Sequence, residues 1–127
     1  MSDHGVPGHL GWLDLTVRDA ATVRDFYADV VGWTPEPVPM DGYEDFVMKA
    51  SDGDPIAGVC HARGDNADLP ATWIPYVVVE DLTGCLARAK DRGGHVLGGV
   101  REMSGQGRYA FVRDPAGAVL ALFQHGA

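Results

Sequence analysis

The sequence predicts an α+β fold built from two copies of a strand–helix–three-strand module, and three observations carry that prediction. Short runs alternate in polarity with the period of a half-buried strand: Leu13, Leu15 and Val17 on one face, Trp12, Asp14 and Thr16 on the other. Two stretches place apolar residues at helical spacing between an acidic cap and a glycine stop. The second half then repeats the first. The helix-start acids Asp19 and Asp81 differ by 62 positions, the helix-end glycines Gly32 and Gly94 also by 62, and the hairpin glycines Gly53 and Gly117 by 64. Two copies are too few for a solenoid. They point to a pseudo-twofold pair with a ligand pocket between cupped sheets. The expected organisation is a single domain over 1–127, with modules at about 9–62 and 72–125.

Taken in order, residues 9–17 form the first strand, and Asp19 caps a helix marked by Val23, Phe26, Tyr27, Val30 and Val31. Gly32 ends it. Strands are expected at 33–38 and 43–49 around a turn near Asp41-Gly42. Another follows at 55–61, after the turn Ser51-Asp52-Gly53-Asp54. Residues 62–71 read as a polar loop, and its Arg63-Gly64-Asp65 as plain loop sequence. The second copy has a strand at 73–79, a helix from Asp81 to Gly93-Gly94 carrying Leu82, Leu86 and Ala89, then strands near 95–101, 107–113 and 118–124. Gly105-Gln106-Gly107 reads as a hairpin bend.

Composition sets limits. The 127 residues are 46% apolar and 22% charged, enough for a core without metal or disulfide staples. The net charge is −8, with no Lys/Arg cluster, so no nucleic-acid partner is expected. No apolar run approaches the ~20 residues of a membrane span, and no signal segment is recognisable at the polar start. Cys60 and Cys85 read as reduced thiols, Cys60 on the core side of its strand, and the expected compartment is the cytoplasm. No G-x-S-x-G, H-E-x-x-H, P-loop or Rossmann glycine pattern is present.

Three stretches resemble the vicinal oxygen chelate superfamily, which contains the glyoxalases, bleomycin-resistance proteins and extradiol dioxygenases. They are Leu15-Thr16-Val17-Arg18-Asp19 with Asp25-Phe26-Tyr27 and Val31-Gly32-Trp33; Val79-Glu80-Asp81 with Arg92-Gly93-Gly94; and Phe111-Val112-Arg113-Asp114-Pro115-Ala116-Gly117. The resemblance implies two βαβββ modules curled around a shared cavity, and often a homodimer, for which open strand edges offer a physical route. It does not choose a function, because the family spans lyases, isomerases, oxygenases and metal-free drug-sequestering proteins.

In metal-dependent members of that family, His or Glu ligands stand on the first and last strands of each module. Counting from Asp19 and from Asp114-Pro115-Ala116-Gly117, with the offsets above, places those positions at Trp12, Ala57, Ile74 and Ala121. None carries a metal ligand, and a slip of one residue supplies none. The sequence therefore resembles the metal-free branch, with no cofactor expected. A relocated site built from His4, His9, His95, His125 and Glu44 has no supporting spacing.

Alternation continued from Trp12 turns Asp14, Ala57, Val59, His61, Ile74, Tyr76, Val78, Val119, Ala121 and Phe123 toward the cavity, with Phe46, Met48, Tyr109 and Phe111 as further lining candidates. Such a lining suits a planar or hydrophobic small molecule, oriented by Tyr76 and Asp14. Asp14 and His61 are the only catalytic candidates, as a proton-shuttling pair.

The leading expectation is a metal-free binding protein that sequesters or carries an aromatic or hydrophobic compound, a cationic, antibiotic-like one being suited to the acidic charge. The alternatives are a lyase, isomerase or oxygenase-like enzyme with a relocated metal or an Asp/His mechanism, and a partner-binding module whose cavity is filled by side chains.

Overall fold

The computed structural model describes residues 5–103 and 105–126. Its elements run β1 (Leu10–Val17), α1 (Ala20–Val31), β2 (Thr34–Pro39), β3 (Glu44–Lys49) and β4 (Pro55–His61), then β5 (Trp73–Val78), α2 (Leu82–Asp91), β6 (His95–Met103), β7 (Gly107–Arg113) and β8 (Val119–His125). This is βαβββ twice. A single 3-10 turn at Gly64–Asn66 interrupts the intervening loop. The chain divides into two compact units, Leu13–Trp73 and Met1–Trp12 with Ile74–Ala127. The division falls inside β1.

In the Leu13–Trp73 unit the strand order is β2-β3-β4-β1. β1 and β4 are parallel, and the other neighbours antiparallel. Asp19 begins α1 by accepting the Thr22 N–H at 3.3 Å. Gly32 ends it at φ 85°, the left-handed conformation a side chain resists. The helix lays Ala20 on Phe46, Met48 and Val59, and Val17, Val23, Tyr27, Trp33 and Trp73 close around them. Burying each of the large side chains contributes roughly 1.5–3 kcal/mol. The Arg24 guanidinium stands 4.5 Å above the Phe46 ring, on the same side. Only part of the helical apolar pattern is used for packing, since Phe26, Val30 and Val31 are exposed.

One extra residue sets the faces of β4. Met48 pairs with Ala57 but Lys49 pairs with Pro55, so Ile56 has no partner and forms a β-bulge. The bulge overturns five cavity assignments. Beyond it Val59 lies opposite Phe46 and beside Leu15. Phe46, Met48 and Val59 therefore point at α1 and belong to the core. Ala57 and His61 share their phase, while Gly58 and Cys60 share the face of Asp14 and Thr16. The β7–β8 hairpin has no such bulge. The offset between copies is therefore 63 along β4 and β8, because Leu15 pairs with Val59 where Val77 pairs with Leu122. A shift of one exchanges every side chain between faces.

In the other unit the order is β5-β8-β7-β6. The segment before β1 attaches to β5 through Gly8 N–H to the Val78 carbonyl at 2.7 Å and Val78 N–H to the His9 carbonyl at 2.9 Å. Asp81 caps α2 by accepting the Gly84 N–H at 3.2 Å. The Leu82 N–H donates to Gln124 Oε1 at 2.7 Å, which anchors α2 to the sheet face carrying Gln124 and, in phase with it, Leu122, Leu120, Ala110 and Val112. Tyr76, Ala121, Phe123, Tyr109 and Phe111 stand on the opposite face.

Candidate functional site

The face of that unit turned away from α2 is aromatic. Tyr76 lies 5.8 Å from Tyr109 and 5.9 Å from Phe111, which are themselves 5.8 Å apart. Three edge-to-face or tilted contacts at these distances lock the rings against one another. Arg101 covers Phe111 at 4.7 Å. Beside the cluster opens a cleft of about 290 Å³, walled by Trp12, Tyr76, Phe123 and Met103, with Gln106 and His125 as its polar members. The His125 ring stands edge-on to Phe123 at 4.8 Å.

The structure brings together only some of the residues singled out by sequence. Trp12, Tyr76 and Phe123 meet in the cleft. Tyr109 and Phe111 back Tyr76, and Ile74 is buried on the Tyr76 side of β5. Phe46, Met48 and Val59 are core side chains beneath α1. Gly11, Met103 and Gln106 complete the cleft without having been singled out. Met103 is the last residue of β6, and Gln106 lies in the β6–β7 turn, where side chains follow no period.

The Asp14–His61 pair does not form. Asp14 is level with Gly58, and His61 is level with Val17 on the opposite face, three residues or about 10 Å further along. His61 instead meets Asp45, which accepts its backbone N–H at 2.9 Å and lies 3.3 Å from Nδ1. Tyr43 and Phe46 pack against the imidazole, and Arg63 lies 3.9 Å over Tyr43. A second aromatic cluster in the same unit joins Tyr27, Trp33 and Trp73, with Trp73 Nε1–H donating to the Tyr27 hydroxyl at 3.1 Å.

Cys60 sits on the face of Asp14 rather than under α1. Burial pushes its thiol pKa far up, and the carboxylates of Asp14 and Asp45 push it in the same direction. A thiol held protonated in this way is a poor nucleophile.

The model of the Glyoxalase/Bleomycin resistance protein/Dioxygenase superfamily matches residues 9–122. The chain belongs to this superfamily. An anthracycline biosynthesis protein of Streptomyces peucetius is 31% identical over 94% of this chain and 48% of its own length. The chain thus spans about half of that relative. Among solved structures, methylmalonyl-CoA epimerase from Mycobacterium tuberculosis superposes with a TM-score of 0.57 at 16% identity, covering 93% of this chain and 90% of that one. The 2,2',3-trihydroxybiphenyl 1,2-dioxygenase of Sphingomonas wittichii superposes with a TM-score of 0.57 at 20% identity, covering 95% and 46%. These two likenesses show the fold.

With the bulge counted, the superfamily's ligand positions fall on Trp12, Ile74 and Ala121 in one unit and Gly58 in the other. An indole N–H has no lone pair to give, and the other three side chains carry no donor at all. These positions do not fit a divalent ion. Among the described residues no group of three His, Cys, Asp or Glu is placed to hold one elsewhere. His4 lies outside the described residues, while His9, His95, His125 and Glu44 form no such group. Among the described residues, no helix is long and apolar enough to cross a membrane.

Proposed function

We propose that the chain is a metal-free small-molecule-binding protein of the glyoxalase/bleomycin-resistance type, holding a planar aromatic compound in the Trp12–Tyr76–Phe123 cleft. The observation that carries this reading is the cleft itself, whose aromatic wall of Trp12, Tyr76 and Phe123 includes one of the positions at which the superfamily's metal ligands would stand, Trp12. Its size suits a small molecule, and its few polar groups suit orientation rather than chemistry. The description of the Streptomyces peucetius relative as an anthracycline biosynthesis protein supports a polycyclic aromatic ligand. A net charge of −8 favours the approach of one that carries an amine, whatever other groups it bears. Sequestering or carrying such a compound is the role proposed.

Titration with a panel of polycyclic aromatics, followed by tryptophan fluorescence, tests it. Saturable quenching is expected for the wild type. The Trp12→Phe variant should lose most of that signal, while Trp33 and Trp73 continue to emit from the other aromatic cluster. Absence of saturable binding across the panel sinks the reading.

A further inference from the structure

The cleft has a polar neighbour. A second cavity of about 330 Å³ shares Met103, Gln106 and His125 with the first and is otherwise lined by Arg108, Glu102, Gln124 and turn glycines. The two open on opposite faces of one sheet: Arg108 lies level with Gln124 and Glu102 in the phase of the α2 side, and Tyr76 and Phe123 lie on the other. They meet where the sheet ends. There the β6–β7 turn is pinned by Gln106 N–H to the Met103 carbonyl at 2.8 Å, and the end of β8 by Gly126 N–H to the Gln106 carbonyl at 2.7 Å. Gly107 stands at this junction with φ 152°, and any Cβ there would collide with the Gln124 carbonyl. No side chain at position 107 separates the cavities.

We infer that the second cavity is an anion subsite in which Arg108 receives the carboxylate of a short arm carried by the aromatic ligand. The inference rests on the proposed binding role of the first cleft. Arg108 is half-buried, and Glu102, opposite it on β6, is exposed. No ion pair joins them among the described residues. A guanidinium fork suits a carboxylate in two parallel hydrogen bonds. Gln124 Oε1 is occupied by the Leu82 N–H, which leaves its amide nitrogen as the donor end of the side chain. With a net charge of −8 on the whole chain, preference for an anion cannot come from the overall field and must be local.

The test compares pyrenebutanoate with pyrenebutanol, which share a flat ring and flexible arm and differ in the terminal group. On the wild type the carboxylate should bind about tenfold more tightly than the alcohol, the range of a charge-assisted contact. Arg108→Gln should remove that ratio and leave the alcohol's Kd unchanged. Glu102→Gln, which removes the opposing carboxylate, should widen it. Equal binding of the two probes to the wild type overturns the subsite and leaves the aromatic cleft standing. A preference that survives in Arg108→Gln overturns it as well. Failure of both probes to bind overturns the binding role and the subsite with it.

Discussion

At the scale of single residues the sharpest consequence concerns Cys60. Its thiol stays protonated in the folded chain, because burial and then the carboxylates of Asp14 and Asp45 disfavour the thiolate. In the unfolded chain the thiol ionises near pH 8.5. The folded pKa is the higher, so this contribution to stability is fully present below about pH 8.5 and is lost as pH rises beyond it. With one proton retained by the folded state and none by the unfolded, the loss is about 1.4 kcal/mol per pH unit. Urea unfolding between pH 8 and 10.5 should show this slope in the wild type and a flatter one in Cys60→Ala. Identical slopes would mean that Cys60 does not control alkaline stability.

Secondary-structure elements follow from local signals wherever those signals are periodic or capped. Asp19 and Asp81 cap the two helices, and the strands fall within a residue or two of their alternating runs, because caps and periods act over a few neighbours. Tyr76 and Phe123 could be assigned a common face because β5 and β8 pair without irregularity. Ile56 defeats the same reasoning in β4. An unpaired residue leaves no mark on the alternation, yet it decides whether Val59 meets Phe46 or the opposite face. The β6–β7 turn that supplies Gln106 carries no period to read. β2 adds a consequence at its own scale. Pro35, Pro37 and Pro39 alternate with residues that bond to β3, so the outer side of this strand has no N–H donors at those positions. Its edge is closed to pairing with another strand, which removes one route to a homodimer expected from open edges. The bulge itself is testable by deletion. Deleting Ile56 restores a regular hairpin and should leave a folded chain, less stable by at most about 2 kcal/mol. Deleting Val47, which is paired on both sides, should prevent cooperative unfolding from being observed at all. Loss of folding in the Ile56 deletion would show that the bulge is required rather than tolerated.

For the molecule as a whole, the question is which kind of ligand the folded state prefers. The superfamily admits both metal-dependent catalysts and metal-free binders, and this chain places Trp12, Gly58, Ile74 and Ala121 where metal ligands would stand. A ligand that binds only the native state stabilises it in proportion to the logarithm of its saturation, about 2.7 kcal/mol at a hundredfold excess over Kd. An aromatic compound from the fluorescence panel should therefore raise Tm by several degrees. Zn²⁺, Ni²⁺, Mn²⁺ or Fe²⁺, added at one equivalent to untagged protein purified without chelator, should leave Tm unchanged. Metal content after desalting should then be well below one ion per chain. The two arms separate the readings, because a folded-state metal site must show in both Tm and stoichiometry, whereas adventitious binding to exposed His and acidic side chains shows in neither. A stoichiometric ion with a matching rise in Tm would put ligands on residues other than these four, and the aromatic cleft would then have to be read as the wall of a catalytic site rather than as the binding site itself.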